Sequence, residues 1–263
     1  IEAYINLANL LRSEGKFQEG IEVCKKSLEI DPKNFKIHQL LIKLKWENNF
    51  ENDAFTEILK FIEKNEKPPL DLIDLLSSAL ISTNQKALLL KLKNKIEINS
   101  NKDINYKLRI AEINSSELIK NYESALNTYQ EIDIKFSNKN IKLQISKMLF
   151  FLGKAKESFL ILKDLSRDND LEFLQKVLAF KSHVLKYLRH EEYFELCNYD
   201  KFIFTQNIPV PKGWKDLESF NIDLTKELEK LHLSKKQPFD QTLKNGTQTL
   251  DDLFFYLKKL LFL

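Results

Sequence analysis

Four histidines and two cysteines are the side chains of this 263-residue chain best suited to holding a metal ion. His190 and Glu192 stand in a His-x-Glu spacing, and His232 follows downstream. Two imidazoles and a carboxylate on one face of an Fe(II) ion would leave open positions for oxygen and a co-substrate. Such a site needs its first pair at the end of a strand, whereas the surrounding HEEYFEL reads as helix; charge on a helix surface is the better reading. His38 and His183 fall inside helical patterns and read as structural or solvent-facing. Cys24 and Cys197 lie far apart, with neither metal-ligand spacing nor a disulfide framework, and Cys24 reads as a small buried hydrophobe. No glycine-rich phosphate loop occurs, and the lysine runs at Lys91–Lys95 and Lys235–Lys236 read as solvated faces. Binding chemistry is better supplied. Ile5, Asn9, Arg12, Lys36, Gln39 and Lys43 recur at helical spacing, with Glu2 and Trp46 at its ends. Their amides and cations can hydrogen-bond a peptide backbone or an acidic side chain.

The elements that position these residues are set by a stretch of 34 residues, IEAYINLANLLRSEGKFQEGIEVCKKSLEIDPKN, from Ile1 to Asn34. A first helix is expected to run to about Ser13, where Gly15 supplies a cheap left-handed turn. A second is expected from Phe17 to Asp31-Pro32, since proline cannot continue a helix and restricts the residue before it. Tyr4, Leu7, Ala8, Leu11, Gly20, Cys24 and Pro32 fall on the W-x2-L-G-x2-Y, A-x3-F and P positions of the tetratricopeptide repeat, a helix-turn-helix unit, which the stretch resembles. The small residues Ala8 and Gly20 sit where the two helices must approach. Equivalent small positions are expected at 54, 88, 125 and 158, giving spacings of 34, 34, 37 and 33. The units are expected at about 1–34, 35–68, 69–103, 104–138 and 139–168, with 98–103 as a loop and capping helices over 169–198. The fold expected is all-α, a solenoid of stacked helical repeats, followed over 199–263 by a short helical and irregular segment. Such repeats resemble one another in presenting first-helix residues to peptides on a concave face, so Ile5, Asn9, Arg12, Lys36, Gln39 and Lys43 are the expected peptide-binding set.

Composition agrees with that class. Five glycines and six prolines leave little punctuation for a many-stranded protein. The 41 basic and 38 acidic side chains give a net charge of +3, too small to point to nucleic acid without a local patch. No apolar run reaches the ~18 residues of a membrane span. A cytoplasmic protein is therefore expected, with protein or peptide partners and neither nucleic acid nor membrane among them.

From Tyr199 the character changes. KFIFTQNIPVPKGW reads as an extended segment and turn, and a helix is expected from Leu217 to Leu231. The chain has Phe220-Asn221, then His232, then Pro238, Asp240, Gln241, Thr242, Leu243, Lys244, Asn245, Gly246, Thr247, Gln248 and Thr249. This resembles the entry segment of a bacterial family that joins tetratricopeptide repeats to a 2-oxoglutarate/Fe(II)-dependent oxygenase domain. In that family a Phe-Asn helix ends near a His and is followed by a pattern close to P-L-D-Q-S-L-R-G-G-T-Q-T. Thr242 and Lys244 stand for the usual Ser and Arg, which keeps a hydroxyl and a cation but loses the fork of the guanidinium. Asn245 stands where Gly is frequent, and Asn245-Gly246 also reads as a simple tight turn. The resemblance implies Fe(II) and 2-oxoglutarate for the complete family, held by a His-x-Asp pair and a distant His on a β-helix that follows. Leu250–Leu263, the 14 residues after Thr249, contain no His and do not read as a barrel, so no catalytic or metal residue is assigned within the chain. Nor does any arginine follow Arg189 to hold the distal carboxylate of 2-oxoglutarate. The chain opens inside a repeat without Met, so a fragment or frameshifted product is expected. Two functions stand open: a scaffold that recruits partners for an oxygenase-type protein, or part of a hydroxylase whose catalytic core lies beyond residue 263.

Overall fold

The computed structural model describes residues 1–48, 53, 55–100, 103–232 and 246, and every regular element among them is helical. Two compact units divide the chain: Ile1–Leu88 together with the described residues from Asn207 on, and Leu89–Gln206.

The first unit opens with α1 (Glu2–Ser13) and α2 (Phe17–Ile30). Between them Gly15 adopts φ +74°, and the Lys16 N–H closes the turn on the Leu11 carbonyl at 2.8 Å. A β-carbon built on Gly20 would stand 2.9 Å from Leu44 Cδ2 and 3.6 Å from the Ala8 carbonyl oxygen, so the small residue is set by the close approach of the helices. Helix α3 (Phe35–Glu47) is capped by Asn34, whose side chain accepts from the Ile37 N–H. Ile5, Ala8, Ile21, Cys24, Ile37, Leu40, Leu41 and Leu44 form the core that locks α1, α2 and α3 together. Each fully buried aliphatic side chain there contributes about 1.5–3 kcal/mol against exposure. Helix α4 (Thr56–Lys64) buries Ile58, Leu59 and Ile62, and α5 (Leu70–Ser82) packs against it and α3.

Helix α6 (Lys86–Ser100) spans the boundary between the units. It corrects two expectations. The loop expected over 98–103 does not begin at Ile98, because no glycine or proline stops the helix before Ser100. The buried position expected at Leu88 falls instead on Leu89, which is fully buried while Leu88 is half-buried. Leu89 stands three residues past its helix start, as do Gly20, Ala125 and Ser158 in theirs, so the packing register follows the turn and not a fixed count along the chain. Ala54 lies outside the described residues.

The second unit continues with α7 (Ile104–Ser115), α8 (Tyr122–Phe136), α9 (Lys139–Phe151), α10 (Ala155–Leu165) and α11 (Leu171–Leu188). Each of these from α7 to α11 packs on its successor. Side chains cap four of the starts: Asp103, Asn121, Asn138 and Asp170 accept backbone N–H groups of α7, α8, α9 and α11. The core runs through Ala125, Tyr129, Ile132, Ile145 and Met148, then through Leu143, Leu162, Phe173, Val177 and Val184. Two short helices follow, α12 (Glu192–Leu196) and α13 (Tyr199–Phe202). The second corrects the expectation of extended chain from Tyr199: Asn198 accepts the Lys201 N–H at 2.9 Å and caps a single turn before the irregular stretch begins at Ile203.

Helix α14 (Leu217–Leu231) belongs to the first unit. It starts with a reciprocal cap in which Asp216 accepts the Ser219 N–H and the Ser219 hydroxyl accepts the Asp216 N–H. That geometry pulls the Asp216 carboxyl below its ordinary range, chiefly through the Ser219 N–H.

Candidate functional site

In the first unit α1 and α3 line a groove of about 310 Å³, bounded by Ile5, Asn9, Lys36, Gln39, Leu40 and Lys43. Helical geometry accounts for the set: Ile5 and Asn9 are four apart, and Lys36, Gln39, Leu40 and Lys43 follow three- and four-residue steps on one face of α3. Ile5 and Leu40 are buried and make an apolar floor, Asn9 and Lys36 are exposed at the rim, and Gln39 and Lys43 are half-buried. The lining carries two cations and no carboxylate. Two amides and two ammonium groups above an apolar floor hydrogen-bond carbonyls and carboxylates while accommodating an aliphatic side chain.

Five of the six residues expected to bind peptide therefore line one groove, with Leu40 added as floor. The sixth does something else. Arg12 donates Nε and Nη2 to the Glu47 carboxylate at 2.8 and 2.6 Å, a two-pronged contact that ties the end of α1 to the end of α3. Glu47 follows Arg12 by 35 residues, about one repeat, and that spacing was a signal sequence reasoning passed over. Trp46 is corrected as well: it is buried and its ring lies 5.8 Å from that of Phe55, because its position on α3 faces the core.

The histidines are engaged elsewhere. His38 Nε2 lies 2.8 Å from the Pro32 carbonyl oxygen and its ring packs on Phe61; burial pushes its pKa below 6.5. His183 is exposed, with Nδ1 at 2.8 Å from the Ala179 carbonyl oxygen. His190 Nδ1 accepts the Glu192 N–H at 3.2 Å, and the Glu192 carboxylate pairs with the buried ammonium of Lys181. The Glu192 carboxylate is thus committed to Lys181 and is not paired with His190 for a metal. Among the described residues no three His, Cys, Asp or Glu side chains are gathered where an ion could be held. Cys24 is fully buried and free, and burial pushes its thiol up to about 12. Phe220 and Asn221 lie on α14, where Phe220 packs edge-on against Trp214 at 5.1 Å and the Trp214 indole N–H donates to Asp223. Gly246 forms a bend, and Gln241, Thr242, Lys244, Gln248 and Thr249 lie outside the described residues.

Residues 1–34 match the tetratricopeptide repeat family. Among solved structures, a tetratricopeptide repeat protein of Parabacteroides merdae is 14% identical over 85% of this chain and 83% of its own, with a TM-score of 0.51. A thermophilic tetratricopeptide repeat protein of Thermus thermophilus is 12% identical over 68% of this chain and 97% of its own, TM-score 0.43. Pseudomonas aeruginosa PilF is 12% identical over 84% and 96%, TM-score 0.45. The first of these likenesses establishes the fold, that of helical repeats stacked as in tetratricopeptide repeat proteins. No curated protein matches the sequence. Among the described residues no helix is long and apolar enough to cross a membrane.

Proposed function

We propose that the chain is a protein-interaction scaffold whose first unit binds an acidic peptide segment in the groove between α1 and α3. The observation that carries this reading is the groove itself: Asn9, Lys36, Gln39 and Lys43 surround Ile5 and Leu40 with no carboxylate among the lining residues. An extended peptide would place backbone carbonyls on the two amides, acidic side chains on the two ammonium groups and one apolar side chain on the floor. Electrostatic attraction of this kind sets partner choice and association rate more than affinity. The experiment is a fluorescence-anisotropy titration of the full chain with labelled peptides that alternate Leu with Glu or Leu with Lys. The acidic peptide is expected to bind and the basic one to fail; Lys36→Glu with Lys43→Glu should reverse the preference. Equal binding of both peptides, or no effect of the double change, would remove these residues from the site.

A second reading concerns the protein's wider role: recruitment of partners or substrates to a 2-oxoglutarate/Fe(II) oxygenase, or hydroxylation by a core beyond this chain. It is favoured by the helix α14, which carries Phe220-Asn221 and ends at His232, the order of that family's entry segment. In this reading Gln241, Thr242, Lys244, Gly246, Gln248 and Thr249 would belong to the entry segment, and Fe(II) and 2-oxoglutarate would be held by residues outside it. Isothermal titration of the chain with Fe(II) and 2-oxoglutarate is expected to give no tight stoichiometric binding; a tight site for both would make the chain itself the enzyme.

A further inference from the structure

A cavity of the second unit lies between α8 and α10, with α9 as its base. It measures about 670 Å³ and is lined by Asp133, Ile134, Lys142, Leu160, Ile161 and Asp164 among others. Two of its walls are apolar and open to water: Ile134 on α8 is 85% exposed and Leu160 on α10 is 66% exposed. Single exposed aliphatics are ordinary, but facing ones across a formed groove mark a surface that excludes water when covered.

The repeat supplies its own control. Aligning Gly20 with Ala125 places Glu29 at the position of Ile134. At the α8 position the first unit therefore carries a charged side chain, as solvated helix faces do, where the second unit carries Ile134. Repeat packing alone does not ask for apolar side chains there.

The charges say what kind of partner fits. Asp133 and Asp164 flank the groove, one on each wall, and Lys142 stands on its base, so carboxylates outnumber ammonium groups two to one among the charged lining residues. One carboxylate oxygen of Asp133, Oδ1, is buried and has no hydrogen-bond partner. A third helix laid along the seam would bring its apolar side chains to Ile134, Leu160 and Ile161. We propose that this groove docks the apolar face of a basic amphipathic helix from a partner protein, with lysine or arginine side chains meeting Asp133 and Asp164.

The test uses the full chain and two synthetic helical peptides of about 18 residues, five turns, with Leu on one face and either Lys or Glu on the other. Fluorescence anisotropy is expected to show the Lys peptide binding at least about tenfold more tightly than the Glu peptide. Leu160→Glu should weaken it by about tenfold or more without changing the circular-dichroism melt, and Asp133→Asn with Asp164→Asn should remove the preference for Lys over Glu. Should Leu160→Glu disturb folding, Ile134→Glu on the opposite, more exposed wall makes the same measurement. Unchanged binding in these variants, or equal binding of the two peptides, overturns the proposal. So does sedimentation showing that the wild-type chain self-associates and Leu160→Glu does not, since a second copy would then be what covers the groove.

Discussion

At the scale of single residues, His38 shows how a polar group placed inside a repeat becomes a condition on stability. Its Nε2 faces the Pro32 carbonyl oxygen, so the neutral ring carries its proton there, and the buried Nδ1 has no partner. Charging the ring would place a second proton where nothing accepts it. Burial is the leading cause of the lowered pKa and outweighs the raising effects of the Pro32 carbonyl, Glu57, Asp31 and Asp71. The unfolded chain, with the ordinary histidine value of about 6.5, therefore binds more protons than the folded chain once the pH drops below that value. The stability contributed by the neutral ring is complete above that value and is lost as the pH falls from it through the lower folded value. Chemical denaturation between pH 7.5 and about 5 should show a steeper loss for the wild type than for His38→Gln. Parallel curves would exclude His38 as the titrating group. Cys24 is the quieter counterpart: fully buried beside the small residues of α1 and α2, it packs as a hydrophobe.

At the scale of elements, the turn between paired helices is the repeated device. Gly15, Asn84 and Gly153 occupy the same place, two residues past one helix and two before the next, with φ of +74°, +61° and +79°. A β-carbon on Gly153 would meet nothing within 4 Å, so the cost of Gly153→Ala is backbone strain alone, about 1–2 kcal/mol. Asn84→Gly should go the other way by a few tenths to about 1 kcal/mol, since asparagine tolerates this region less well than glycine. Urea midpoints of the two variants on either side of the wild type would bear this out; a midpoint for Gly153→Ala at or above wild type would mean that the turn relaxes. The helix ends at Ser13 and Ile30 were readable because Gly15 and Pro32 are strong local signals. Asn84 carried the same signal more weakly, and without it the register of α6 slipped by one residue onto Leu88.

At the scale of the whole molecule, a net charge of +3 from 41 basic and 38 acidic groups gives little long-range attraction for an anion. Any acidic-peptide affinity has to arise locally, at Lys36 and Lys43. Between 50 and 300 mM salt, the wild type should lose affinity for the acidic peptide about tenfold, whereas Lys36→Gln with Lys43→Gln should bind weakly and almost independently of salt. An unchanged salt slope in the double variant would place the contact elsewhere.

Sequence by itself determined most of the helices and the polarity of their faces, because turn residues and apolar spacing act over a few residues; it missed α13 and the end of α6, where those local signals are weak. It also placed Ile5, Asn9, Lys36, Gln39 and Lys43 on helix faces, since one period fixes which side chains share a side. Tertiary structure decided what those faces meet. Arg12 went to Glu47, Trp46 into the core, Glu192 to Lys181, and the outer faces of α8 and α10 closed around a groove. Each of these depends on which neighbour a helix packs against and how closely it approaches, and no count along the chain contains that distance.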